Sequence, residues 1–187
     1  DNATGTAALL ELAKAYTLLP ERQGRTIVFL HTTAEEQGLL GSLYYAENPV
    51  FPLEKTIAAL NLDALNIFGR TKDIFIIGYG NSDLQEYAIN AAKKQNRIIV
   101  PDDEPEKGYF YRSDHFSFAK KGVPALYTKM GFQHIEKGEE WLREKAAEWT
   151  RTHYHQVTDE YNPYEWDLSG AIEDIKLFFK VGVRLSM

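Results

Sequence analysis

Two observations predict an α/β sandwich built around a mostly parallel sheet. Short β-branched and aromatic runs alternate along the chain with longer stretches of helical spacing, the pattern of strands joined by crossover helices. The polar residues best equipped for chemistry arrive just after those runs, and in open α/β sheets ligands gather at the carboxyl ends of strands.

Ala8, Leu9, Leu12, Ala13 and Tyr16 share one face at helical spacing, so residues 4–19 form an amphipathic helix that Pro20 stops. Residues 26–30 are a β-branched and aromatic run, predicted as a buried strand. Residues 42–48 give a brief helix ended by Asn48 and Pro49, and 56–62 make a second strand running into Asp63. A third strand covers 74–77. Ser82 and Gln85 have capping-box spacing, and Leu84, Tyr87, Ala88 and Ala91 continue it as a helix over 82–95. Residues 97–100 read as another strand, and 101–108 as an acidic loop marked by prolines. A short helix over 114–121 ends at Gly122, before a strand at 124–127. Weak periodicity over 129–164 predicts a long surface segment, a place where function often sits. Leu168, Ile172, Ile175, Phe179 and Gly182 mark a terminal helix that Asp167 can cap.

With 187 residues, 44% hydrophobic, the chain is long enough for one domain with its own core, spanning 1–187. A net charge of −6 without a basic block argues against nucleic acid as a partner. No apolar run approaches the roughly 20 residues that span a bilayer, so no membrane partner is expected. The chain has no cysteine, so any metal must be held by His, Asp or Glu. It begins at Asp1 and enters a helix almost at once, which reads as a piece cut from a longer protein.

Glu35 and Glu36 close the 26–30 run and open a glycine-rich turn. Splitting an unactivated amide calls for one carboxylate to hold a Lewis-acidic metal and another, unligated, to take a proton from water. The pair can supply both roles, although two adjacent glutamates are also common on solvated helix faces. Among five histidines, His155 is the best ligand candidate, with Asp159 near enough in sequence to orient its ring. The bland alternatives are a surface histidine at 155, a turn-forming Asp63 and an exposed terminal Asp1. Ser113, Asp114 and His115 do not make a catalytic triad, whose members meet from distant segments, and no Gly-x-Ser-x-Gly elbow is present.

Taken together, the strings DNATG at 1–5, AEEQGLLGS at 34–42, NLD at 61–63, RSDH at 112–115 and YH at 154–155 resemble the zinc exopeptidases of the leucyl aminopeptidase, aminopeptidase Y and glutamate carboxypeptidase type. Order and spacing match along the whole chain. The resemblance implies a three-layer α/β/α sandwich of the phosphorylase/hydrolase-like kind, and a zinc-dependent aminopeptidase acting on peptides whose N-terminal residues have apolar side chains. By position, Asp1 is similar to the aspartate that bridges two Zn2+ ions in that family. Glu36 and His155 are similar to the other ligands of one ion, Asp63 to a ligand of the second, and Glu35 to the general base. Tyr154 is the chosen oxyanion donor, with Tyr109 and Tyr111 as rivals. Asp114 and His115 shape the pocket or support its residues from behind in this reading, or else serve as a helix cap and a surface histidine. A cis peptide between Asp1 and Asn2 is also implied.

The second ion needs a histidine that the family carries in a His-x-Asp motif upstream of the bridging aspartate, a point before this sequence starts. The expectation is therefore an N-terminally truncated catalytic domain with at most one well-held zinc, inactive alone or associated with its missing N-terminal segment or another copy through open sheet edges. The family also implies a secreted or periplasmic location. Two other readings share the scaffold: a one-zinc glutaminyl cyclase and a peptidase-like binding module without catalysis.

Overall fold

A computed structural model describes all 187 residues. Asn2 begins the architecture by capping the first helix, α1 (Ala3–Thr17), where its side-chain oxygen accepts the N–H of Gly5 at 2.9 Å. The same oxygen accepts from the N–H of Ala64 at 3.1 Å, which ties the start of α1 to the segment around Asp63. Gly5 lets this happen, since a Cβ there would lie 2.5 Å from the carbonyl oxygen of Leu62. The chain then continues through α2 (Leu40–Glu47), β1 (Ala59–Asn61), β2 (Asp73–Ile77), α3 (Leu84–Lys93), β3 (Ile98–Pro101), α4 (His115–Ala119), β4 (Ala125–Met130), α5 (Gly138–Thr152) and α6 (Ser169–Ser186).

The four strands form one mixed sheet in the order β1-β4-β2-β3. β1 runs parallel to β4 and β2 parallel to β3, while the central β2–β4 pair is antiparallel. Alternation then sorts the side chains. Ile74, Ile76 and Leu126 point to one face, where they pack with Leu12, Ala88, Leu177, Phe178 and Val181 from α1, α3 and α6. Each fully buried aliphatic or aromatic side chain contributes roughly 2 kcal/mol by leaving water. Phe75, Ile77 and Tyr127 point to the other face, against Tyr109, Phe110 and Phe132, and α4 packs there with α2 behind it. Asn61 pairs with Tyr127, so it belongs to this second face. The functional residues assemble above it.

Residues 26–30 differ from the expectation. They join no ladder, and Val28 is exposed, because no strand of this chain lies in register beside them. The segment at 129–164 differs in the opposite sense, since it contains the fifteen-residue helix α5. Only Leu142 of α5 is buried, and part of its order comes from exposed pairs such as Arg143 with Glu139 at 2.8 Å. The N-cap of α6 is Leu168 rather than the expected Asp167, whose carboxylate nonetheless accepts the N–H of Ser169, the first residue of the helix, at 2.9 Å. A buried ion pair not legible in the sequence, Arg97 with Asp174 at 2.7 Å, links the start of β3 to α6. No helix is long and apolar enough to cross a membrane.

Candidate active site

The two glutamates stand on a tight turn whose ends are left-handed. Glu35–Gln37 make a single 3-10 turn between Ala34 at φ 55° and Gly38 at φ 99°, and Leu39 follows at φ 60°. Glycine meets this demand freely at 38, whereas alanine and leucine occupy a region L residues seldom adopt, a form of strain that concentrates at functional sites. The carbonyl of Glu35 accepts the N–H groups of Gly38 at 3.0 Å and Leu39 at 2.8 Å, which locks the turn. Behind it, the buried hydroxyls of Ser42 and Ser117 bond at 3.0 Å and fasten α2 to α4. The result is a half-buried Glu35 directed inward and an exposed Glu36 directed outward.

Asp1, Glu36 and His155 converge from three distant segments. The Nε2 atom of His155 is 3.0 Å from Oε1 of Glu36 and 3.3 Å from Oδ2 of Asp1, and one donor atom from each residue lies within 4.8 Å of the others. His155 itself has a left-handed backbone at φ 58°, and the Tyr154 ring stacks on its imidazole with centroids 3.8 Å apart. The Asp1–Asn2 peptide is cis. Asp159 is not bonded to the His155 ring as expected; its carboxylate meets the main-chain nitrogen of Asp1 instead. These residues and Gln156 line an open cavity of about 380 Å³ with no hydrophobic wall. Two carboxylate oxygens and one imidazole nitrogen are a donor set that suits zinc, with room left for a further ligand.

Two of the other histidines have structural work. His134 accepts the N–H groups of Glu136 and Lys137 at Nδ1, so its Nε2 donates to the carbonyl of Phe68 at 3.1 Å. His153 stacks on Trp149 at 4.1 Å, and His31 is exposed. A larger cavity, about 530 Å³, is lined by all three tryptophans, yet no three of its acids and imidazoles converge on a point.

Asp63 lies outside the three-residue cluster but inside the same electrostatic field. Ser113 donates its hydroxyl to Oδ2 of Asp63 at 2.7 Å, and Asn61 donates to Ser113 Oγ at 2.8 Å. Burial raises the Asp63 pKa, against the pull of Ser113. Glu35 is pushed up to about 7 by burial first, then by the charges of Asp63, Glu36 and Asp114. Asp114 stands at the N-cap position of α4 but its side chain does not cap: it accepts a hydrogen bond from the Thr32 hydroxyl and adds to the negative field at Glu35. The Tyr154 phenol is raised by burial and by Glu36, Asp63 and Glu35, so it stays a protonated donor. Of its rivals, Tyr109 lies under the ammonium of Lys129 and Tyr111 packs edge-on against Phe116. Ser113 as the group that holds Asp63 went unread, although its place in the RSDH string was the available signal.

His115 is no surface histidine. It is 2% exposed, packed between Phe110 and Tyr127, and neither ring nitrogen has a hydrogen-bond partner. Burial lowers its pKa to about 4. A histidine held neutral in the fold but free to protonate when unfolded costs stability as pH falls from about 6.5 through 4, by up to roughly 3 kcal/mol. Above pH 6.5 the effect vanishes. Denaturant unfolding of His115→Phe between pH 4 and 7 should show a shallower acid loss than the parent; parallel curves would reject this account.

The structure thus defines a class: an α/β protein with a carboxylate–histidine cluster able to hold a cation and a half-buried glutamate in the same acidic field. The Peptidase family M28 model matches residues 1–179, and the chain belongs to that family. Aminopeptidase Y of Saccharomyces cerevisiae (strain ATCC 204508 / S288c) is 25% identical over 175 residues, covering 89% of this chain and 30% of that protein. Among solved structures, an aminopeptidase from Aneurinibacillus sp. strain AM-1 superposes with a TM-score of 0.64 at 20% identity, over 100% of this chain and 39% of the other. A Bacteroides thetaiotaomicron glutaminyl cyclase bound to N-acetylhistamine gives 0.53 at 17%, over 100% of this chain and 61% of that one. At such identities the structures speak for the fold alone, and the chain spans about a third of the length of the curated relative it matches.

Proposed function

We propose that this chain carries catalytic groups of a zinc-dependent aminopeptidase, which hydrolyses the peptide bond after an N-terminal residue. The observation that carries the reading is the convergence of Asp1, Glu36 and His155 beside an unligated Glu35. Those three residues would hold one zinc. Bound there, zinc would supply Lewis acidity, lowering the pKa of water and polarising the scissile carbonyl. Glu35 accepts a proton from the attacking water and returns it to the leaving amine. Its raised pKa suits both halves of that cycle, because a base that titrates near the working pH can also act as an acid. Tyr154 offers its phenol proton to the developing oxyanion. Ser113 and Asn61 keep Asp63 oriented toward the same edge.

Supporting this over the glutaminyl cyclase reading is the adjacent Glu35–Glu36 pair, one acid for the ion and one for the proton. The protein incubated with zinc and short peptides should release the N-terminal amino acid. Release of ammonia from glutaminyl peptides without shortening of the chain would replace it with the cyclase. One tightly held zinc per chain is expected by elemental analysis, and two would contradict the ligand set assigned here.

A further inference from the structure

Lys129 is a cation without a counterion beside an acidic centre. It lies on β4 two residues beyond Tyr127 and pairs across the sheet with Phe75, so it shares the face that carries Tyr127 and Asn61. Its ammonium is half-buried and 3.6 Å from the centroid of the Tyr109 ring. The nearby acids are engaged elsewhere. Asp63 takes the Ser113 hydroxyl, Glu104 pairs with Lys107 at 2.6 Å, and Asp102 accepts the N–H of Glu104 at 3.0 Å. Neither Lys129 nor Arg112, close enough for their charges to repel, forms an ion pair.

A partly desolvated ammonium held over an aromatic ring gains less than it would from a carboxylate partner. β1 and β4 run parallel with Asn61 opposite Tyr127, so Lys129, two residues on, stands level with Asp63, and a group that met Lys129 would lie beside that acid. We infer that Lys129 is a specificity-determining residue that binds a carboxylate of the peptide substrate over the Tyr109 ring. This rests on the proposed aminopeptidase reading and names its substrate class. The carboxylate has two sources: an acidic side chain on the N-terminal residue, or the free C-terminus of a dipeptide. The second is compatible with an apolar N-terminal residue and the first is not.

The test measures binding in the Glu35→Gln background, where turnover does not interfere. Two ligand pairs separate the sources: glutamyl-alanine amide against glutaminyl-alanine amide, and alanyl-alanine against alanyl-alanine amide. One pair should favour its carboxylate member by about tenfold or more. Lys129→Met should bring that ratio to near one, and Lys129→Arg should restore it. A lysine that merely offsets the local negative charge would change both members of a pair alike. Equal affinities within both pairs, or a ratio that survives Lys129→Met, would overturn the inference. In the protein with Glu35 intact, the same ratios are read in kcat/KM. If no peptide is turned over, the aminopeptidase reading falls while the binding ratios still decide the role of Lys129.

Discussion

Glu35→Gln should lower kcat by about 10² to 10⁴-fold while leaving zinc affinity nearly unchanged. Glutamine preserves the size of the side chain and its place on the left-handed turn, but it cannot accept a proton at neutral pH. Glu35 lies beside the ion site rather than in it: the converging donors belong to Asp1, Glu36 and His155. Proton transfer should therefore fail where metal retention does not. The paired measurement is steady-state turnover of a peptide and zinc content after dialysis. Retained turnover would remove Glu35 from the mechanism, and joint loss of turnover and zinc would make it a ligand.

His155→Ala should have the opposite signature, with zinc itself lost. The imidazole is the only nitrogen donor in the cluster, 3.0 Å from Glu36 and 3.3 Å from Asp1. Removing a residue that merely orients a ligand costs roughly 10 to 100-fold in metal affinity, so loss of a direct ligand should exceed about 100-fold. Without the imidazole, the carboxylates of Asp1 and Glu36 would face each other with no cation between them. Equilibrium dialysis gives the affinity directly, and a melting temperature that rises with zinc in the parent but not in the variant gives it independently. Unchanged zinc affinity in His155→Ala would dissolve the proposed site.

Local signals carried much of the fold. Helical spacing located α1, α3 and α6, which each bury one stripe against the core, and compact apolar runs located β2 and β4, which are covered on both faces. Two segments resisted for opposite reasons. Residues 26–30 have the composition of a strand, but a strand exists only where a partner offers a ladder of hydrogen bonds, and this chain provides none there. α5 has partners but little burial, since Leu142 alone is buried and Trp141, Ala146 and Trp149 beside it are only partly covered among many charged residues.

The site divides along the same line. The glutamate pair at 35 and 36 and the histidine at 155 drew attention by residue type and position, and the resemblance to the zinc exopeptidases, not elimination among 27 acids, added Asp1 and Asp63. What each residue experiences came from the tertiary structure alone. Folding placed the Glu35 carboxyl among three other acids, buried His115 among aromatic rings, set Ser113 against Asp63 and left Lys129 unpaired over Tyr109. A sequence specifies which groups are available, but desolvation and the Coulomb field depend on distances of a few ångströms between segments far apart in the chain. Only the folded packing determines those distances.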